Sequence, residues 1–262
     1  MKYLSKNQKY IPGIYGGVGP LSHIYFEQQL IKISHDRGAK EDQDYLVYFL
    51  FNASSTPDRT KNLLYKGESP INHMFYFAKK IEKSGADFMV VICNTAHAFY
   101  NEISRKIKIP WINMIEVVAK EIKNKYPLVK KVGIIGTDGT INARIYHKSL
   151  ESKGINVISP KIGSLTQQKV MNAIYHPTYG IKSSGNSISK FSEQNVIDAL
   201  LELKNNDAEL IITACTEVSL CVNYINSQNS LLKDFIIIDP LVIMAEVVFN
   251  LSYGKINFKD FM

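Results

Sequence analysis

The sequence predicts an α/β protein of two pseudosymmetric three-layer domains with mainly parallel four-stranded sheets and an active site in the interdomain cleft. Three observations predict it. Short β-rich runs alternate with stretches of helical spacing, two landmarks recur about 120 residues apart, and each copy carries a cysteine at the end of an apolar run. Strands that alternate with helices form parallel sheets covered on both faces. A chain of 262 residues has room for one large domain or for two of roughly 100 to 130 residues.

The elements follow in order. KYIPGIYG (9–16) and KKVGIIG (130–136) read as buried strands running into glycine turns. The segments behind them, LSHIYFEQQLIKIS (21–34) and INARIYHKSLESKG (141–154), carry apolar residues at helical spacing. YLVYFLF (45–51), DFMVVIC (87–93), NVISP (156–160), ELIITAC (209–215) and DFIIIDP (234–240) supply further strands, interleaved with helical runs such as 74–85 and 195–206.

The repeat is visible in two places. Gly13, Gly16 and Gly19 superpose on Gly133, Gly136 and Gly139 at a spacing of 120, and MVVICNTAHAF (89–99) resembles LIITACTEVSL (210–220), with Cys93 and Cys215 separated by 122. Two landmarks at nearly one spacing indicate a duplicated unit. The last strand and helix, from Phe235 onward, fall outside the second copy and are expected to complete the first domain. The expected division is 1–115 plus 228–262 for the first domain and 116–227 for the second. Ligands of parallel sheets sit beyond the carboxyl ends of the strands, so both glycine turns and both cysteines are expected at one cleft.

Composition narrows the function. An apolar share of 45% with 21% charged residues excludes a disordered chain or a fibrous repeat. The net charge of +7 comes from lysines spread along the chain, with no basic run carrying interleaved aromatics, which excludes a nucleic-acid face and leaves a weak attraction for anionic substrates. The first residues lack an apolar core of signal-peptide length, and the apolar stretch from Phe235 is broken by Asp239, Pro240 and Glu246. A cytoplasmic protein without membrane attachment is expected. Cys93, Cys215 and Cys221 lack metal-ligand spacing and read as free thiols, so neither a metal nor a disulfide is expected.

Cys93 and Cys215 each stand where a strand ends and a helix begins. Free backbone N–H groups and the helix dipole at such a junction attract anions and favour a thiolate, so a carboxylate site with a reactive thiol beside it results. Two thiols at equivalent places can serve opposite faces of one carbon, one removing a proton while the other delivers one. Cys221 has no counterpart in the first half and reads as structural. The glycine turn Gly13-x-x-Gly16-Gly17-x-Gly19 lacks the G-x-G-x-x-G spacing of a dinucleotide site, and no acidic residue follows the second strand where a ribose would need one. Arg59, in the polar loop after 45–51, stands at the same sheet end as the cysteines and can grip a carboxylate bidentately.

Gly16-Gly17-Val18-Gly19-Pro20, Pro57-Asp58-Arg59-Thr60, Cys93-Asn94-Thr95-Ala96-His97, Gly136-Thr137-Asp138-Gly139-Thr140 and Cys215-Thr216-Glu217 resemble, in the same order, the signature blocks of the aspartate/glutamate racemase family, and the aspartate racemases most of all. The resemblance implies a homodimeric enzyme that interconverts L- and D-amino acids without pyridoxal phosphate, other cofactor or metal. It implies Cys93 and Cys215 as the catalytic pair and Asn94, Thr95 and Ala96 around the α-carboxylate. Thr137 and Thr216 become polar partners of the ligand, and Arg59 the holder of a side-chain carboxylate. Lys182, in Lys182-Ser-Ser-Gly-Asn186, resembles the family's substrate lysine. Val18, where the family has methionine, and Asn52, His97 and Glu217 are expected in supporting places. Two-cysteine relatives also isomerise maleate or racemise hydantoins, but Arg59 favours an acidic amino acid, with aspartate ahead of glutamate. A non-catalytic amino-acid-binding module is the rival from another class, and it predicts binding without α-proton exchange.

Overall fold

The computed structural model describes residues 4–185, 187–228 and 232–261, so Asn186 of the Lys182 stretch lies outside the described residues. The first half runs β1 (Pro12–Gly16), α1 (Pro20–Asp36), β2 (Phe49–Asn52), α2 (Arg59–Tyr65), α3 (Ile71–Lys83), β3 (Phe88–Val91), α4 (Tyr100–Ser104) and α5 (Met114–Lys125). The second half runs β4 (Lys131–Ile135), α6 (Asp138–Asn142), α7 (Ile145–Glu151), β5 (Asn156–Ile158), α8 (Leu165–Tyr175), α9 (Lys190–Asn205), β6 (Leu210–Thr213), α10 (Thr216–Gln228), β7 (Ile237–Ile238) and α11 (Pro240–Ser252). Side-chain caps set many of the helix starts. Asp58, Asn113, Thr137, Ser164, Ser189 and Asp239 each accept a backbone N–H of the first turn. Pro20 and Pro240 open their helices where no N–H is needed.

Both sheets are parallel, and among the described residues the first has three strands in the order β2-β1-β3 while the second has four in the order β5-β4-β6-β7. The expectation of four strands in each is thereby corrected for the first half. A single parallel bridge, Met89 to Trp111, stands where its fourth strand would be. Pro110 immediately before Trp111 has no N–H to extend the ladder.

That bridge also corrects the placement of the last strand. β7 pairs with β6 in the second sheet, Ile211 opposite Ile237, and does not return to the first. Met89 and Ile211 are separated by the same 122 residues as the cysteines. Trp111 and α5 in the first half are therefore the counterparts of β7 and α11 in the second, and the repeat extends to α11. A second difference lies in 141–154, which reads as one helix but divides into α6 and α7, because Arg144 takes a left-handed conformation at φ 53°.

The two equivalent helices α5 and α11 pack on each other, and α11 also lies along α1. One apolar core results from this joint. Ile14, Phe88 and Val90 from the first sheet and Val132, Ile134 and Ile212 from the second belong to one buried cluster with Phe26 of α1, Val118 of α5 and Met244 of α11. Smaller clusters lie on the far side of each sheet and hold Cys93 in one half and Cys215 in the other.

Truncating a side chain at this joint tests its weight. Phe26 is fully buried, so Phe26→Ala is expected to lower unfolding free energy by about 3 to 5 kcal/mol in urea titrations. Leu128→Ala, at an exposed position, is expected to change it by less than about 0.5 kcal/mol. Equal effects would contradict the assignment of Phe26 to a shared core.

Candidate active site

Each cysteine ends a strand and precedes a turn of helix. Cys93 lies between β3 and the 3-10 turn Thr95–Phe99, and Cys215 between β6 and α10. Their residues are 7% and 6% exposed and Arg59 is 8% exposed, so the centre is closed to solvent. A cavity of about 430 Å³ lined by Pro20, Leu21, Ile181, Lys182, Gly185 and Glu217 reaches one edge of it.

Arg59 stands beside Cys93. Its guanidinium is held by three backbone carbonyls, those of Thr56 at 3.1 Å, Pro57 at 3.1 Å and Val18 at 3.4 Å. Burial works against its charge, but the Cys93 sulfur, Asp58 and Tyr175 outweigh burial and raise its pKa. Its Nε is buried without a hydrogen-bond partner among the described residues, and so is Asn94 Nδ2, whose amide oxygen accepts from Tyr146 at 2.5 Å. A buried donor left unpaired costs about 1 to 3 kcal/mol. One of these donors belongs to the arginine beside Cys93 and the other to the residue that follows Cys93.

Around Cys215 the chemistry has the opposite sign. Its thiol donates to Glu217 Oε2 at 3.1 Å, and Glu217 Oε1 is paired with Lys182. Burial and the Glu217 carboxylate push the Cys215 thiol well above the ordinary range, with Lys182 opposing them, so it keeps its proton. Burial would raise the Glu217 carboxyl too, but the Lys182 ammonium holds it below its usual value. Burial disfavours the Lys182 charge in turn, and Glu217 and Cys215 together raise it. Lys182 also feels Arg59, and Arg59 feels Cys93, so one run of interacting charges joins the two thiols.

The threonines form the floor between the halves. Thr95 Oγ1 lies 3.2 Å from Thr137 Oγ1 and 2.8 Å from Thr140 Oγ1, while Thr60 donates to Thr137 at 3.1 Å. Thr216 accepts from Ser22 of α1 at 2.7 Å. Gly19 is required here. Its φ is 125°, and a Cβ would stand 2.7 Å from Glu217 Oε1.

The structure thus gathers Cys93, Arg59, Asn94, Thr95 and Thr137 with Cys215, Thr216, Glu217 and Lys182, and it brings in the Val18 carbonyl. Ala96 packs in the apolar cluster of the first half, leaving only its backbone to face a ligand. Asn52 is exposed. His97 is not a free base. Met114 N–H donates to its Nε2 at 3.2 Å, which places the ring proton on Nδ1, and Nδ1 donates to the Cys93 carbonyl at 2.9 Å. Sequence reasoning missed Tyr175, whose hydroxyl donates to Asp58 at 3.1 Å across the halves, and Ser22 and Tyr146. Tyr146 and Ser22 have counterparts in no motif, and only contact reveals them. Among the described residues no group of three or more His, Cys, Asp or Glu could hold a metal ion, and no helix is long and apolar enough to cross a membrane.

The family model of Asp/Glu/hydantoin racemases matches residues 16–248. A broad-specificity amino-acid racemase of Bacillus subtilis is 29% identical over 223 residues, covering 82% of this chain and 89% of that protein. The structure of Picrophilus torridus aspartate racemase superposes with a TM-score of 0.77 at 27% identity, covering 94% of this chain and 95% of the other. Francisella tularensis glutamate racemase, solved with D-glutamate, shares the fold with a TM-score of 0.63 at 19% identity, covering 98% and 84%.

His97 makes a prediction of its own. Burial lowers its pKa from 6.5 to about 4, so the folded protein keeps it neutral where the unfolded chain already binds a proton. Its contribution is complete above pH 6.5 and is lost as pH falls from there to about 4, amounting to at most about 3 kcal/mol at 1.36 kcal/mol per unit. Urea midpoints measured across this range are expected to fall less steeply in His97→Gln, whose amide does not titrate. Parallel curves for the two proteins would remove His97 from the account.

Proposed function

The chain belongs to the Asp/Glu/hydantoin racemase family, and we propose that it inverts the α-carbon of an acidic amino acid, with aspartate favoured and glutamate possible, using Cys93 and Cys215 as its two bases. The observation that carries this reading is the pair of unpartnered buried donors, Arg59 Nε and Asn94 Nδ2, beside one thiol and joined by charge to the other. They fit carboxylate oxygens. In the proposed step a Cys93 thiolate takes the α-proton while the Cys215 thiol delivers its own proton to the opposite face. The carbon is inverted, and the sulfurs exchange protonation states. In the reverse turn Cys215 abstracts and Cys93 delivers. Fixed N–H donors and a water-poor cleft stabilise the carbanion-like transition state. Asn94, Thr95 and the Ala96 backbone hold the α-carboxylate, Thr137 and Thr216 line the ligand, and Arg59 with Lys182 receives the side-chain carboxylate. No cofactor or metal is needed in this scheme.

Aspartate and glutamate differ by one methylene, which a pocket distinguishes by only about 1 to 3 kcal/mol. A wider substrate range is the second reading. It is favoured by the apolar wall of Pro20, Leu21 and Ile181 beside Lys182, and by the broad specificity named for the Bacillus subtilis relative. The working unit is proposed, on the family resemblance, to be a homodimer in the cytoplasm, and sedimentation of the purified chain measures the former.

Incubation in D₂O tests the reading. Deuterium is expected at Cα of both enantiomers of aspartate, with slower exchange of glutamate and of neutral amino acids. Cys93→Ala and Cys215→Ala are each expected to lose racemisation by about 10³-fold or more. Turnover retained in both variants would refute the two-thiol scheme, and saturable binding without exchange would make the chain a binding module.

A further inference from the structure

Behind each thiol stands a pin, and the two pins occupy equivalent places in the duplicated unit. His97 follows Cys93 by four residues, Ser219 follows Cys215 by four, and the pair shares the 122-residue spacing of the cysteines. Each fastens its own cysteine's carbonyl, His97 through Nδ1 at 2.9 Å and Ser219 through its backbone N–H at 3.1 Å. Each is also anchored to the start of the equivalent next helix. His97 accepts Met114 N–H at the first turn of α5, and Ser219 Oγ donates to Asp239 Oδ1 at 2.9 Å at the cap of α11.

Asp239 is therefore to Cys215 what the Met114 amide is to Cys93, with a carboxyl group in place of an amide. It accepts Leu241 N–H at 2.8 Å and the Tyr25 hydroxyl of α1 at 3.1 Å. Among the described residues its partners are hydroxyls and backbone N–H groups. Ser219 Oγ also lies 2.7 Å from Thr213 Oγ1 at the end of β6, so a single hydroxyl ties the strand end to Asp239 across the turn that presents Cys215. Tyr25 extends the tie to α1, whose Ser22 meets Thr216 next to Cys215.

We propose that Asp239 is a positioning residue for Cys215, acting through Ser219 to fix the turn that aims this sulfur and leaving Cys93 to its own pin. The function follows from tolerance. A misplacement of about 1 Å in a reacting group costs on the order of 10²-fold in rate. The catalytic consequence rests on the racemase reading, while the geometric consequence does not.

Asp239→Asn and Ser219→Ala test it in the full chain. Mass spectrometry of iodoacetamide labelling in the ligand-free protein reads each cysteine separately. In both variants the Cys215 labelling rate is expected to change about threefold or more while Cys93 labelling stays near the wild-type rate. In turnover, kcat is expected to fall about tenfold with KM within about twofold. The α-deuterium isotope effect is expected to rise only for the enantiomer whose proton Cys215 removes. Labelling that changes at both cysteines together, or at neither, overturns the proposal, as does an isotope effect raised equally in both directions. Should Asp239→Asn fail to fold, Ser219→Ala removes one hydroxyl and carries the same measurements. Failure of the racemase reading shows separately, as wild-type protein that never exchanges an α-proton while the labelling result stands.

Discussion

The exclusion of water from the space between the two halves governs everything else at the site. Moving an ion from water into such a medium costs several kcal/mol even after relaxation, so a charge persists there only beside its opposite. The Lys182 ammonium holds Glu217 below its usual range, burial with Glu217 beside it holds the Cys215 thiol up, and burial keeps His97 neutral because its two backbone hydrogen bonds do not outweigh it. Arg59 has the carbonyls of a tight turn and the Cys93 sulfur. Among the described residues Arg59 Nε and Asn94 Nδ2 are buried donors without a protein acceptor, and on the proposed reading they are the ones that meet carboxylate oxygens.

On the proposed reading, duplication supplies equivalent groups for the two faces of one carbon, and divergence makes the groups unlike. The junction of strand, cysteine and helix recurs with its pin four residues on, and the next helix recurs as α5 and α11, which pack against each other at the centre of the molecule. Around that shared frame the first half has placed an arginine beside its thiol and the second a carboxylate. The two thiols therefore stand in unlike surroundings, and on the proposed reading that asymmetry separates the sulfur that takes a proton from the one that delivers it.

Much of this was legible in the residues, because periodicity and local junctions are local properties. The β-rich runs, the glycine turns and both cysteines lie where their spacing indicates, and Arg59 arrives at the thiol as its loop position suggested. The misplacement of β7 has a different origin. Ile236, Ile237 and Ile238 suit the interior of any parallel sheet, and only pairing with β6 decides which one. The counterpart that would have revealed the full length of the repeat, Trp111, is hidden by Pro110, which shrinks a strand to a single bridge. The supporting place expected of His97 does not say what it supports. Its tautomer depends on an amide 17 residues further on, a contact that no motif encodes.

A closed site must also admit what it binds, and the charges limit how. On the proposed reading an incoming carboxylate reaches the edge cavity where Lys182 and Glu217 face each other. The Lys182 ammonium, on a side chain 27% exposed, is already paired with the buried Glu217 carboxylate. Exchanging one carboxylate partner for another therefore costs far less than desolvating a free lysine. Glu217, losing part of its counter-charge, is then left buried at 3.1 Å from the Cys215 thiol, which strengthens its pull on that proton. Lys182 sits on the connection between α8 and α9, tied at its backbone N–H to Ile174 of α8, so it can change partners by moving its long side chain while the loop stays in place. On that reading binding at the edge and protonation at the centre are joined by one carboxylate, and the burial of Glu217 and Cys215 makes that joint strong.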